Sequence, residues 1–161
     1  DVAMLEIYYC CGLRRNEGVN LRLEDVQLEK QLLFVRKGKN YRQRYVPFTT
    51  RTAGRLKDYL LFCRSVLAEE DHFSKAFFLS VQGRPLQSQS LMHRLKKLVK
   101  KAGLKSSVGL HTLRHSIATH LLSEGMKLEN IQQFLGHSSI ESTQIYTHLV
   151  KELAKEKVVG L

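Results

Sequence analysis

Five short segments of the sequence carry side chains that could do chemistry together. They are residues 12–17 (GLRRNE), 37–39 (KGK), 111–115 (HTLRH), 135–139 (LGHSS) and 143–148 (TQIYTH). Most of their functional groups are cations, and Tyr146 is the candidate nucleophile. Guanidiniums keep their charge at neutral pH and hold pairs of anionic oxygens in planar forks. A phenol has a pKa of about 10, so Tyr146 needs a base or a strongly cationic site to attack at neutral pH.

Several other chemistries lack the residues they require. The sequence has neither a G-x-x-x-x-G-K-[ST] phosphate loop nor a G-x-S-x-G nucleophile elbow. Its carboxylates are scattered, whereas a two-metal nuclease needs them clustered. Cys10, Cys11 and Cys63 lack the C-x₂-C spacing of a zinc site, and we interpret them as reduced core residues of a cytosolic protein. His111 and His115 are one helical turn apart without an obvious third ligand, so we predict chemistry without metal, nucleotide or other cofactor.

The charge of the chain is strongly basic and unevenly distributed. The 161 residues include 26 Lys and Arg against 15 Asp and Glu, which gives a formal net charge of +11. Residues 72–123 contain nine basic residues and no acidic one. A field of one sign attracts polyanions, and nucleic acid is the commonest such partner. No apolar run approaches the roughly 18 residues needed to cross a bilayer, so a membrane partner is not predicted.

The elements that must position these residues are mostly helical, with one small antiparallel sheet. Two or three short strands are predicted between residues 25 and 49, the last at Val46–Phe48, with Pro47 at an edge or an end. Helices are predicted over residues 2–11, from a cap at Thr50 to Leu67, from about Leu91 to Lys101, from Leu110 to Gly125, and over 129–135 and 140–148, followed by an amphipathic tail.

Taken in order, the five segments closely resemble those of the catalytic domain of the tyrosine recombinases, the phage integrase family. HTLRHSIATHLL followed by LGHSSIESTQIYTH is similar to the C-terminal signature of that family almost residue for residue. The resemblance covers essentially the whole chain. It implies a mainly α (α+β) fold with a three-stranded antiparallel sheet and a single catalytic domain over residues 1–161. A separate N-terminal DNA-clamping domain usually precedes it in the family.

The resemblance implies a role for each matching position. It assigns Tyr146 as nucleophile, Arg14 and Arg114 as the paired arginines, and His111 and His137 as the site histidines. A hairpin lysine is also expected. That lysine is open between Lys37 and Lys39, and we favour Lys37 because the following Gly38 keeps the Lys-Gly turn. Asn16 replaces the usual Ser or Thr of the pattern and Gly18 replaces the usual Leu, and neither carries the chemistry.

The resemblance also implies an activity and a partner. We expect metal- and ATP-independent cleavage and rejoining of duplex DNA through a 3′-phosphotyrosyl bond, in the integration or excision of a bacterial mobile element. The protein is expected to be a tetramer on DNA and a monomer or weak oligomer alone, with no membrane partner. The predicted DNA contacts are Lys39, Arg42, Arg44, Arg94, Lys96, Lys97 and Lys100.

Two alternatives share part of this pattern. A type IB topoisomerase would use the same chemistry on a single DNA without exchange, but the spacing from L-G-H-S-S to Tyr146 favours a recombinase. A DNA-binding protein with a decayed site is the other alternative. Every expected catalytic position is filled, which argues against decay.

Overall fold

The computed structural model describes residues 1–36, 43–68 and 74–136. The helices are α1 (Val2–Tyr9), α2 (Arg15–Val19), α3 (Thr50–Asp58), α4 (Ser65–Leu67), α5 (Ser88–Lys101), α6 (Leu110–Ser123) and α7 (Leu128–Leu135). The strands are β1 (Val26–Gln27), β2 (Leu32–Val35) and β3 (Arg44–Pro47). This confirms the predicted mainly helical fold with a small sheet. The predicted helix over 140–148 and the tail lie outside the described residues.

The three strands form an antiparallel sheet in the order β1-β2-β3. Val26 pairs with Leu33, and Val35 pairs with Arg44. Pro47 ends the edge strand β3, where its missing N–H leaves no gap in the hydrogen bonding of the sheet. Because Arg44 is the first residue of β3, the sheet register places it directly after the segment that carries Lys37 and Lys39.

Helix α3 begins one residue earlier than the sequence pattern indicates. Thr49, not Thr50, is the cap, and its hydroxyl accepts a hydrogen bond from the backbone N–H of Thr52 at 3.2 Å. The helical path continues from α3 through a π-helical turn over Tyr59–Arg64 into α4. The hydroxyl of Tyr59 donates to the carbonyl of Phe77 at 3.2 Å, which ties this turn to the core.

The main core lies between α1, the sheet and α5. Its fully buried side chains include Ile7, Leu33, Leu56, Phe77 and Leu91. Helix α6 packs against α1 and α7, and Ala118, Ile131 and Leu135 form a smaller buried cluster at the α6–α7 contact. These packings fix α6 and α7, which carry or adjoin the C-terminal motifs, against the N-terminal part of the chain.

The three cysteines have different environments. Cys11 is buried, as predicted, and Cys10 is half-buried with its thiol donating to Glu6 Oε2 at 3.1 Å. Burial, together with that hydrogen bond, raises the pKa of Cys10 to about 11. Cys63 is exposed, so the prediction that all three are core residues is wrong at this position. In the described part of the chain, no helix has the length and apolar character needed to cross a membrane.

Candidate active site

The C-terminal end of α7 is where the two predicted catalytic arginines meet. The carbonyl of Leu135 accepts hydrogen bonds from Arg114 Nη2 at 2.7 Å and from Arg14 Nη1 at 3.4 Å. Arg14 Nη2 also donates to the carbonyl of Gly136 at 3.0 Å. The last carbonyls of a helix have no partner within the helix and form the negative end of its dipole. The end of α7 therefore holds two guanidiniums that come from opposite ends of the described chain.

Arg114 projects from α6 into the protein, and only 5% of its surface is exposed. Besides Leu135, it donates through Nη1 to the carbonyl of Gly12. Gly12 has a positive φ of 57°, and a Cβ there would lie 2.8 Å from Leu135 Cδ2. The absence of a side chain at Gly12 thus lets the chain pass close to α7, immediately before Arg14.

Arg14 caps the short helix α2, and Glu17 fixes both its backbone and its side chain. The backbone N–H of Arg14 donates to Glu17 Oε2 at 2.8 Å, and its Nη1 donates to Glu17 Oε1 at 3.1 Å. The side chain of Glu17 is fully buried, while that of Arg14 is 28% exposed. The sequence motifs assign no role to Glu17. The R-x-x-E spacing at the start of a helix was the signal that could have found it.

Arg44 supplies a second guanidinium to the same carboxylate. Its Nη1 and Nη2 lie 2.9 and 3.1 Å from Glu17 Oε1 and Oε2, in a two-pronged arrangement. Its Nε donates to the carbonyl of Phe134 at 2.8 Å. The sequence predicts a DNA contact at Arg44. The structure instead buries its side chain, 8% exposed, and uses its donors within the protein.

The arginines keep Glu17 charged in spite of its burial. Burial alone would raise the pKa of this carboxyl. The hydrogen bonds and positive charge of Arg44, together with those of Arg14, outweigh burial and hold the pKa of Glu17 below its ordinary value of 4.5. Glu17 is therefore an ionised anchor between the two guanidiniums at neutral pH.

Acidification is expected to weaken the fold through Glu17. Because its pKa is lower in the folded protein, its contribution to stability is present above about pH 4.5 and is lost as the pH falls through the folded value. The free energy of unfolding, measured by denaturant titration between about pH 7 and pH 3, should fall on acidification. Glu17→Gln should flatten this dependence, and Glu29→Gln at an exposed site should not. An equal slope for wild type and Glu17→Gln would contradict the assignment.

His111, one of the two predicted site histidines, and His115 lie on either side of Arg114 in the sequence of α6. His111 is exposed in the first turn of α6, three residues before Arg114, as predicted. His115 has its pKa lowered by burial, and by the positive charges of His111 and Arg114. Within residues 1–36, 43–68 and 74–136, no three His, Cys, Asp or Glu side chains group as metal ligands.

The remaining predicted catalytic residues lie outside the described residues. They are Lys37, His137 and Tyr146, together with the predicted DNA contacts Lys39 and Arg42. The structure describes the backbone directly before His137 and shortly before Lys37. Helix α7 ends in the left-handed Gly136, directly before His137, and β2 ends at Val35, shortly before Lys37.

Comparison with known proteins identifies the family. The sequence model of the phage integrase family matches residues 1–152. The chain belongs to the phage integrase family. It is 42% identical to tyrosine recombinase XerC of Oceanobacillus iheyensis over 157 residues, which are 97% of this chain and 51% of that protein. It is 40% identical to tyrosine recombinase XerD of Corynebacterium glutamicum over 156 residues, covering 97% and 50%. The chain thus spans about half the length of the curated relatives it matches.

Solved structures of phage integrase family members have the same fold. The crystal structure of XerA recombinase superposes with a TM-score of 0.84 and 32% identity, covering 98% of this chain and 56% of that one. XerH site-specific recombinase, bound to a palindromic difH substrate after cleavage, superposes with a TM-score of 0.77 and 28% identity, covering 98% and 44%. The predicted membership of the tyrosine recombinases and the predicted fold are both confirmed.

The departures from the phage integrase family pattern have structural explanations. A Cβ at Gly18 would lie 2.8 Å from Tyr8 Cε1, so the ring of Tyr8 occupies the space beside this backbone. The Tyr8 hydroxyl donates to the carbonyl of Arg15 at 3.0 Å. Asn16 is exposed, and its Oδ1 accepts a hydrogen bond from the Ser88 hydroxyl at 3.4 Å, which connects α2 to the start of α5.

Helix α5 presents the basic face predicted for this phage integrase family member. Leu91, Leu95 and Val99 are buried. Lys96, Lys97 and Lys100 are exposed on the same helix, as a phosphate-contacting surface requires. Arg94 is partly exposed and pairs with the Asp1 carboxylate at 2.9 Å.

Proposed function

We propose that this chain is the catalytic part of a site-specific DNA recombinase that cuts and rejoins strands through a 3′-phosphotyrosyl bond, without metal or ATP. The observation that carries the proposal is the convergence of Arg14 and Arg114 on the carbonyl of Leu135. Two fixed guanidiniums at one place suit a phosphate that gains charge in its transition state. The tyrosine recombinases XerC and XerD, to which the chain is similar, support the same chemistry.

The proposed cleavage step transfers one phosphoryl link from DNA to protein. The oxygen of Tyr146 forms a bond to phosphorus, and the bond from phosphorus to the 5′ oxygen breaks. Lys37, or Lys39 as the alternative, gives a proton to the departing 5′ oxygen. The tyrosine proton passes to His111. In the alternative, His111 donates a hydrogen bond to the phosphate instead. His137 donates a hydrogen bond to a phosphate oxygen. A 5′ hydroxyl of a second DNA reverses these steps and reseals the strand.

Contacts within the protein fix the side chains of Arg14 and Arg114 in the absence of DNA. Arg114 is fixed by the carbonyls of Gly12 and Leu135, and Arg14 by Glu17 and the end of α7. Fixed planes let guanidiniums act on the transition state without reorganising during the reaction, which is the main advantage of a preorganised site. Phosphate contacts of α5, and of the basic residues between positions 37 and 42, would place the duplex over them.

The proposed assembly on DNA is a tetramer, and the proposed use is integration or excision of a mobile element. The Tn1549 transposon integrase is 20% identical in superposed structures, which shows a shared fold alone. The relatives at about 40% identity are Xer recombinases. Sequencing the recombination junctions in cells distinguishes the two uses: junctions at the ends of a transferable element support the proposal, whereas recombination confined to one chromosomal site overturns it.

A covalent trapping assay tests the proposed function. The protein is mixed with a library of nicked duplexes in EDTA, and protease-sensitive DNA adducts are counted on a denaturing gel. Wild type should form adducts, and so should the control variant Tyr9→Phe. In wild type the Tyr9 hydroxyl lies 3.3 Å from Nδ1 of His120, near the C-terminal end of α6. Tyr146→Phe should bind DNA and form no adducts. Adducts with Tyr146→Phe, or no adduct with wild type, overturn the proposal.

Products from two duplexes distinguish a recombinase from a topoisomerase. A recombinase should join strands of two labelled duplexes that carry the same site. A type IB topoisomerase should relax a supercoiled plasmid without producing joined molecules. Relaxation without exchange would preserve the tyrosine chemistry and overturn the recombinase assignment.

A further inference from the structure

We propose that Arg44 is a positioning residue that holds Arg14 and the end of α7 in their reactive arrangement by binding Glu17 and Phe134 at the same time. The inference rests on the proposed function, because it concerns the same site. Arg44 touches no substrate in this proposal. It acts through Glu17, to which Arg14 is also bonded.

The contacts of Arg44 join three separate parts of the chain. Its guanidinium meets both carboxylate oxygens of Glu17 on α2, and its Nε meets the carbonyl of Phe134 on α7. The residue itself begins β3, which follows the segment that carries the candidate lysines in the sequence. Arg44 therefore ties β3 to α2, which Arg14 caps, and to α7, which ends before His137.

The environment of Arg44 favours this role over a contact to DNA. Its side chain is 8% exposed, whereas that of Glu17 is fully buried. A buried carboxylate needs charged partners, and Glu17 has Arg44 and Arg14. If Arg44 were removed, Arg14 would be the remaining described ion-pair partner of Glu17, and we expect its guanidinium to shift further toward that carboxylate. The positions of Arg14 and Arg44 are thus linked through one anion.

The backbone of Gly136, the residue before His137, packs closely against the Arg44 side chain. A Cβ at Gly136 would lie 2.7 Å from Arg44 Nη1 and 2.9 Å from its Cζ. Such close packing of backbone against a guanidinium fixes where α7 stops. Since the carbonyls of Leu135 and Gly136 hold Arg14, and that of Leu135 also holds Arg114, Arg44 reaches both catalytic arginines through this turn.

The test compares cleavage of a normal phosphate with cleavage of a methylphosphonate at the same scissile position. A methylphosphonate replaces one non-bridging oxygen by a methyl group and carries no charge, so cleavage depends less on a correctly placed guanidinium. The variants are Arg44→Gln, Arg14→Ala as the positive reference, and Arg64→Gln as a structural control. Arg64 donates to the carbonyls of Ser74 and Ala76, away from Glu17. Adduct formation is timed at saturating DNA, and DNA affinity is measured across salt concentrations.

The expected result is a selective defect. Arg44→Gln should slow cleavage of the phosphate at least tenfold and cleavage of the methylphosphonate less than threefold. Arg14→Ala should show the same selectivity with a larger loss on the phosphate. The DNA affinity of Arg44→Gln and the salt dependence of its binding should match wild type. Arg64→Gln should slow both substrates equally or not at all. Equal slowing of both substrates by Arg44→Gln would overturn the proposal, as would a salt slope shallower by about one, which marks a lost phosphate contact.

A double variant keeps the test decisive if Arg44→Gln folds poorly. Arg44→Met with Glu17→Gln removes both buried charges and leaves no unpaired carboxylate, so the fold should survive. This pair should still lose the phosphate reaction selectively. In an Arg14→Ala background the Arg44 change should cost less than threefold more, since the two act in series. A wild type that forms no adduct would defeat the proposed function, whereas an active wild type with an unaffected Arg44→Gln would defeat this inference alone.

Discussion

Arg114→Ala should abolish formation of the covalent DNA adduct, with a loss of about a thousandfold or more in the cleavage rate. The reason is electrostatic: removing one preorganised donor from a charged transition state costs hundreds- to thousandfold, and removing an arginine from a phosphoryl group costs more. Arg114 also bonds two backbone carbonyls, of Gly12 and Leu135, inside the protein. The substitution therefore removes the proposed phosphate ligand and a structural link together.

The structural part of this effect can be separated by a second substitution. Leaving a buried acceptor unpaired costs about 1–3 kcal/mol, so Arg114→Ala should also lower the free energy of unfolding. Arg114→Lys keeps the charge but lacks the planar fork that bridges two carbonyls, so cleavage should stay impaired with stability partly restored. Rates are measured by single-turnover adduct formation and stability by denaturant titration. Arg15→Ala, at an exposed neighbour of Arg14, serves as the control and should behave as wild type. Cleavage by Arg114→Ala within tenfold of wild type would refute the role.

Gly136→Val should reduce cleavage at least a hundredfold and destabilise the protein. Gly136 ends α7 in the left-handed region, with φ 66° and ψ 46°, where a branched side chain is strained. Its Cβ would also lie 2.7 Å from Arg44 Nη1 and 3.0 Å from Arg44 Cδ. The turn or the guanidinium must move, and both hold the arginine cluster. Left-handed strain alone costs about 1–2 kcal/mol, so a larger loss of stability measures the collision.

A matched glycine isolates the two causes. Gly103 ends α5 at the same φ of 66°, and a Cβ there would meet nothing within 4 Å. Gly103→Val should therefore show the backbone strain with cleavage close to wild type once the protein is folded. Thermal unfolding gives the stability of both variants, and the nicked-duplex assay gives their activity. If both glycine variants lose the same stability and keep cleavage, then the contact between Gly136 and Arg44 has no functional weight.

Much of the fold follows from local patterns in the sequence. The apolar spacing of Leu110, Leu113 and Ile117 predicts helix α6, and the structure has that helix from Leu110 to Ser123. Gly12 and Gly103, which follow α1 and α5, take positive φ values, as glycines that follow helical runs commonly do. The short runs rich in Val, Leu and Phe around Leu33 and Val46 predict the sheet. These features depend on residues within a few positions of each other, so one stretch of sequence contains the whole signal.

The candidate site is only partly local. The five motifs, and with them Arg14, His111 and Arg114, are recognisable because each is a short pattern of residues. The exposure of Cys63 is not recognisable from a short pattern, because it depends on which face of the turn between α3 and α4 packs inward. Glu17 and the inward role of Arg44 were missed for a similar reason. The partners of Arg44 lie 27 and 90 residues away in the sequence. The sequence around a basic residue at the start of a strand looks the same whether its side chain faces DNA or a buried carboxylate.

The sequence by itself determined the family, the helical character of the chain and the residue types available for phosphate chemistry. Those properties are written in local spacing, charge and motif order. The tertiary structure alone decided which guanidiniums meet: Arg14 and Arg114 at the end of α7, and Arg44 on Glu17 behind them. The physical reason is that a charged hydrogen bond in a buried site depends on distance, direction and desolvation. The packing of α6 and α7 against the N-terminal part of the chain sets all three.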